Sequence, residues 1–209
     1  MEQLLTRLVD KFGYDKPIAT DEILTAWGDY SRPWVFRLLK RFNEEQKIIK
    51  YESGIYYLPT QTIFGKPSAL SRRLVLEKKY IGDGNEVFGY YSGLSLLNLW
   101  GLSNQVPAKP EVVSSKASAI VRKIPYGKQY AVLRKARTPI TSNNVSALEL
   151  LEAFCAMPRY SLDERAINRI KELVVILKIQ QKEVFKYASL FPAKAIKNLL
   201  YAGVENVFA

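Results

Sequence analysis

The chain has 209 residues, enough for one large or two small domains, and its 48% apolar content is that of a globular protein. It carries 31 Lys and Arg against 20 Asp and Glu, a net charge of +11, and has no histidine, so the commonest general base, metal ligand and pH switch are missing together. Cys155 is the only cysteine. That excludes an internal disulfide framework, and its neighbours Leu150, Leu151, Phe154 and Ala156 make it a small buried hydrophobe rather than a reactive thiol. There is no apolar run of about 18 residues to span a membrane and no signal-peptide pattern at the N-terminus. The expected compartment is the cytoplasm.

Residues 2–13 place Leu4, Leu5, Leu8, Val9 and Phe12 on one helical face. Thr20 is read as the cap of a second helix. Asp21 and Glu22 stand in its first turn, where the macrodipole favours anions, and Ile23, Leu24 and Trp27 point inward. Gly28-Asp29 supplies a tight turn. The third helix spans 31–42. Ser31 is its expected N-cap, its hydroxyl accepting an orphan N–H, and Pro33 sits harmlessly in the first turn. Val35, Leu38, Leu39 and Phe42 recur at i, i+3, i+4 and i+7 as a buried stripe. Arg32, Trp34, Arg37, Lys40 and Arg41 take the remaining surface, with no acidic residue between 30 and 43. Residues 47–51 and 55–58 are strand-like, and Glu52-Ser53-Gly54 has the turn chemistry of a hairpin. Three helices and a β-ribbon in this order predict a winged helix-turn-helix. Its DNA-contacting residues are expected to be Ser31, Arg32, Trp34, Arg37, Lys40, Arg41 and, on the ribbon, Lys50. Trp34 has two readings: a staple of the helix to its domain, or packing against a sugar-phosphate edge.

A domain boundary falls in 59–67, so the expected division is 1–60 and 61–209. Ser68 is read as the cap of a helix through Lys79, with Leu70, Leu74 and Ile81 inward. Residues 92–100 form an apolar helix. Strands follow at 112–113, 119–124 and 130–133, with Pro125-Tyr126-Gly127-Lys128 as a turn. After Pro139 the period returns to helical over 146–156, 163–178, 181–190 and 193–201, and Ser146 with Glu149 fits a capping box. The expected fold class is α+β: a winged helix-turn-helix, then a mixed α/β domain with a small antiparallel sheet in about 110–137 and a helical tail over 146–202.

Charge is unevenly spread. Residues 1–58 hold nine basic and nine acidic residues, and residues 59–209 hold 22 and 11, so the whole excess lies beyond the ribbon. Such a field attracts polyanions. Its candidate second basic surface, toward DNA or a partner, is Arg72, Arg73, Lys78, Lys79, Arg122, Lys123, Lys128, Arg134, Lys135 and Arg137.

No catalytic constellation is read. Gly82-Asp83-Gly84 lacks the Gly-Lys-Ser/Thr context of a phosphate loop. The pairs Asp163/Glu164 and Glu149/Glu152 are explained as charges complementing helix dipoles, and a serine nucleophile has no histidine to serve it. A non-enzyme without metal or cofactor is expected. Tyr90 and Tyr91 are read as straddling a core, since basic interleaving for a stacking platform is missing around them.

Three elements carry a family resemblance: the ribbon ending in Gly54-Ile55-Tyr56-Tyr57-Leu58-Pro59, the helix entry Gly89-Tyr90-Tyr91-Ser92-Gly93 and, above all, Gly101-Leu102-Ser103-Asn104-Gln105-Val106-Pro107. Over about residues 1–140 they resemble the antitoxin of the AbiE abortive-infection system (AbiEi), usually assigned to type IV toxin–antitoxin systems. The resemblance implies an N-terminal winged helix that represses its own promoter on inverted repeats. It also implies a C-terminal domain that counteracts a nucleotidyltransferase-type toxin without requiring a stable complex, in phage defence. From the residues alone, Gly101 is a left-handed helix terminator and Pro107 a stiffener, with contact to a partner as the other reading of this element. The alternative function is an RNA-binding or protein-binding toxin neutraliser whose winged helix is a protein–protein module.

Overall fold

The computed structural model describes residues 2–208, the side chains of residues 160 and 205 excepted. It is an α+β structure, with nine α-helices and two sheets among the described residues. The chain divides into two compact units, one up to Lys78 and one from Lys79 on, whereas the sequence suggests a boundary at 60/61. Residues beyond the ribbon return to the first unit. Leu70 and Val75 pack on Ile55 and Tyr57, the Tyr57 hydroxyl donates to the Ser68 carbonyl at 2.8 Å, and the Asp15 carboxylate accepts from the hydroxyls of Thr60 and Ser68.

The first unit contains α1 (Glu2–Phe12), β1 (Ile18–Ala19), α2 (Thr20–Ala26), α3 (Arg32–Glu44), β2 (Ile49–Glu52) and β3 (Ile55–Tyr57). Its sheet has the order β1-β3-β2 and is antiparallel throughout; the two-residue β1 is too short to carry a period. The core joins Leu4 and Leu8 of α1, Ile23 of α2, Trp27 and the α3 stripe Val35, Leu38, Leu39 and Phe42. These are the positions the 3.6-residue spacing selects. Trp27 packs edge-on to Phe42, ring centroids 6.2 Å apart, and its indole N–H donates to the Leu4 carbonyl at 3.0 Å. Thr20 lies inside α2 instead of capping it. Ala19 holds the cap position and donates its N–H to the Glu22 carboxylate at 2.8 Å.

Next in the chain, α4 (Arg72–Tyr80) is shorter than the expected helix over 68–79. The Ser68 hydroxyl is drawn to Asp15 and to the Thr60 N–H, so it caps nothing. Val75 and Leu76 are buried, while Leu74, expected inside, is 37% exposed.

The second unit begins with β4 (Gly89–Tyr91), α5 (Gly93–Leu99), β5 (Glu111–Ser114), β6 (Val121–Tyr126) and β7 (Gln129–Lys135). The sheet order is β4-β5-β7-β6. β4 pairs antiparallel with β5 and β6 with β7, but β5 and β7 run parallel. The sheet is therefore mixed, not the antiparallel one expected: the loop after β5 carries the chain to the outer edge, and the β6–β7 hairpin brings β7 back beside β5. Pro125 lies within β6, where a residue without N–H is tolerated because the strand is an edge. Gly89 is required by close approach: a Cβ there would stand 1.9 Å from the Tyr80 carbonyl oxygen.

Helices α6 (Val145–Ala156), α7 (Glu164–Ile176), α8 (Gln181–Ala188) and α9 (Ala193–Tyr201) follow. α6 is the central one, with Ala147, Leu148, Leu150, Leu151, Ala153 and Phe154 all buried. Around it pack Tyr90, Leu96, Ile170, Val184 and Leu199. The Ser146 capping box does not form; Asn144 holds the cap position, and Glu149 falls in the second turn rather than at the dipole's positive end. Asp163 does cap α7, accepting from the Ala166 N–H at 2.8 Å. No helix among the described residues is long and apolar enough to cross a membrane.

Candidate nucleic-acid interface

The α3 stripe is inserted into the core, so the opposite side of the helix faces outward. Ser31 occupies the N-cap with extended backbone (φ −66°, ψ 144°), but its hydroxyl makes no capping bond. It is exposed and leaves the helix-start N–H groups uncapped by its side chain. Arg32, Arg37, Lys40 and Arg41 are exposed. Their engagement differs. Arg37 and Lys40 make no hydrogen bond or ion pair among the described residues. The Arg32 guanidinium lies 5.7 Å from the centroid of Phe36. Arg41 donates to Glu45 at 2.8 Å; Lys47 and Arg41 together hold the Glu45 carboxyl below its ordinary range. Phe36 itself is 40% exposed on this basic side. Neither charge nor spacing singles it out, since it is uncharged and follows a buried valine.

Trp34 is half-buried and stacks on Tyr30, centroids 4.1 Å apart at 13°. It also packs against the N-terminal core, the geometry of a staple. Lys50 is exposed on β2, where its N–H is fixed by the Asn43 side chain at 2.8 Å. Gly54 closes the β2–β3 hairpin at φ +83°. The unit thus presents a helix about 19 Å long by rise per residue, cationic on its open side, and an exposed ribbon lysine. A major groove about 12 Å wide admits such a helix.

The ten residues of the expected second basic surface do not share one environment. Arg72 and Arg73 are exposed on α4, and Arg73 pairs with Glu77 at 2.8 Å. The Lys78 side chain is only 13% exposed and is held by Glu22 at 2.5 Å, so it serves the first unit's own structure rather than an outer face. Lys79 lies against the Tyr80 ring. In the second unit Arg122 reaches the hydroxyls of Ser118 and Tyr80. Arg134 pairs with Glu111 at 3.1 Å. Arg137 donates to the Leu190 carbonyl and covers Phe191. Lys123, Lys128 and Lys135 are exposed.

One participant was missed. Lys109, just before β5, donates to the Tyr130 hydroxyl at 2.6 Å and sits 4.3 Å from its ring centroid; Lys123 sits 4.7 Å from the same ring. The Lys109 hydrogen bond holds the Tyr130 phenol below its ordinary range. The basic interleaving absent around Tyr90 and Tyr91 is present here. No sequence period connects residues 109 and 130; their meeting depends on the parallel β5–β7 pairing, in which Glu111 stands opposite Val132.

The Gly101–Pro107 element borders a cleft of about 970 Å³ in the second unit. Its first half is a helix terminator. Gly101 takes φ +73°, its N–H bonds the Asn98 carbonyl at 3.1 Å, and the Leu102 N–H bonds the Leu97 carbonyl at 2.8 Å. This pair of bonds defines a Schellman motif. Ser103 and Gln105 line the cleft, opposite Glu152 of α6 and Arg137. The Ser92 hydroxyl donates to Glu152 at 2.6 Å. Cys155 also borders the cleft, and burial followed by the nearby Glu152 pushes its thiol up, which suppresses the thiolate. No group of three or more metal-ligating side chains occurs among the described residues. Tyr90 is buried in the core and Tyr91 is half-buried. No protein-family model matches this chain, and no curated protein matches it.

Proposed function

We propose that this chain is a sequence-specific, duplex-DNA-binding autorepressor of the antitoxin kind, with a winged helix-turn-helix as its N-terminal unit. α3 is the recognition helix and the β2–β3 hairpin its wing. The observation that carries the reading is the open side of α3: four exposed cations, two of them without a hydrogen bond or ion pair among the described residues, on a helix whose other side is locked into a core. Unengaged guanidinium and ammonium groups are available to guanine edges and phosphates. The resemblance to the AbiE antitoxins extends the proposal. The chain would act in the cytoplasm on its own promoter, and its second unit would counteract a nucleotidyltransferase-type toxin in phage defence. It works by binding, not by catalysis.

The test is affinity for the native promoter, with toxin rescue scored in parallel. Each well-made arginine–guanine pair is worth about 1–3 kcal/mol. Arg32→Ala with Arg37→Ala is therefore expected to weaken promoter binding by about 30-fold or more while leaving rescue intact. Arg41→Ala is expected to cost less, because Glu45 already holds that guanidinium. Undiminished promoter affinity in the double variant defeats the recognition-helix assignment. A second reading, a toxin neutraliser whose first unit is a protein-docking module, is favoured by one observation: Phe36 is exposed at the centre of the basic side. Loss of rescue in Phe36→Ser with promoter binding retained would select it.

A further inference from the structure

The second unit holds a cluster that neither the recognition helix nor the cleft explains. Residues 112–148 contain seven Lys and Arg and no Asp or Glu. On the sheet face that carries Tyr130, Lys123 and Glu111, the carboxylate of Glu111 is already taken by Arg134 at 3.1 Å. Lys109 and Lys123 converge on Tyr130, and among the described residues neither forms an ion pair. Their ammonium groups stand 4.3 and 4.7 Å from one ring centroid. Both lysines are exposed, so water and a ligand reach them. Convergent like charges are unfavourable in the free protein, and an arriving anion relieves them. Lys109 is pinned by its bond to the phenol oxygen at 2.6 Å, which fixes the position of one of the two donors in advance.

We propose that Lys109, just before β5, and Lys123 and Tyr130 of the β6–β7 hairpin form a phosphodiester clamp that grips the backbone of duplex DNA. The phenol gathers the two ammonium groups at one place, and each donates to a phosphate oxygen. The clamp reads no sequence. It adds affinity and salt sensitivity to whatever α3 recognises, and the choice of duplex DNA as occupant rests on the DNA-binding reading given above. Lys128 at the tip of the same hairpin is exposed and extends the basic edge.

The experiment is a salt titration of the full chain on a duplex of arbitrary sequence, followed by fluorescence anisotropy. Each neutralised phosphate contributes about 0.9 to the log–log slope. Lys109→Gln with Lys123→Gln is expected to reduce the slope by about 1.8. A fourfold rise in salt then costs the wild type roughly twelve-fold more affinity than it costs the variant. Both side chains are exposed, and the far-ultraviolet circular dichroism should not change; Tyr130→Phe, which removes the phenol oxygen that both lysines approach but leaves their charges, should give a smaller loss in the same direction. An unchanged slope in a wild type that binds overturns the clamp and leaves the α3 reading standing. A reduced slope, with Arg32→Ala and Arg37→Ala without effect on promoter binding, keeps the clamp and defeats the α3 reading. No binding by the wild type at 50 mM salt overturns both, and slope loss seen only on duplex RNA overturns the DNA occupant.

Discussion

Glu149 makes the folded chain sensitive to pH in a direction opposite to that of a salt-bridged acid. It sits in the second turn of α6, the most enclosed helix of the second unit. Burial pushes its carboxyl from an ordinary 4.5 up to about 7. The folded state therefore keeps a proton that the unfolded chain releases near 4.5. Between these values the folded state binds more protons, so stability falls as pH rises through the window and levels off above 7. A shift of this size corresponds to about 3 kcal/mol, which the residue's partial exposure reduces to about 2. Glu149→Gln removes the titration and keeps the shape. In urea denaturation the variant should gain less than about 1 kcal/mol over the wild type at pH 5 and about 2 kcal/mol at pH 8. A gain that is the same at both pH values would refute the argument, because it would reflect packing rather than ionisation.

Two further substitutions test the second unit's backbone packing. Gly89→Ala would push a methyl group to 1.9 Å from the Tyr80 carbonyl oxygen and 2.7 Å from that of Val113; because both obstacles are backbone, a loss of about 3 kcal/mol is expected in urea denaturation, and a loss under about 1 kcal/mol would mean that the end of α4 and β5 do not approach Gly89 so closely. Asn198→Ala would remove a buried amide that donates to the Phe154 and Met157 carbonyls at 2.9 and 3.1 Å. Leaving those acceptors unpaired at the end of α6 should cost about 2–3 kcal/mol, and faster amide exchange in the last turn of α6 is the accompanying signature; unaltered exchange there would count against the assignment.

How much of this was legible depended on whether the determining contacts were local. The buried stripe of α3 follows from four apolar residues at helical spacing, and the structure buries those four. The helices after Pro139 emerge within a few residues of their expected spans for the same reason. What stayed hidden was set by partners far along the chain. Ser68 has every property of a helix cap, but Asp15 competes for its hydroxyl. Ser92 likewise gives its hydroxyl to Glu152, 60 residues on. Lys78 looks like a surface cation at the end of a basic helix, and only Glu22 reveals that it is an internal tie. The parallel β5–β7 pair has no sequence signal in strands of four and seven residues.

The two proposed contacts divide a task that neither stretch of sequence performs alone. Residues 1–58 are electrically balanced, nine basic against nine acidic. The first unit, which runs on to Lys78, holds 13 basic against 10 acidic residues, so on the proposed reading it has local cations on α3 but little long-range attraction, because its own carboxylates cancel most of the field beyond a Debye length of about 8 Å. Residues 59–209, with 22 basic against 11 acidic, would supply that attraction without reading bases. The division makes the two sets of variants distinguishable in one assay. Losing Arg37 should lower affinity for the promoter more than for arbitrary DNA. Losing Lys109 and Lys123 should lower both alike and flatten the salt dependence. If both sets lowered specific and non-specific binding in equal proportion, base recognition would have to reside elsewhere than on α3.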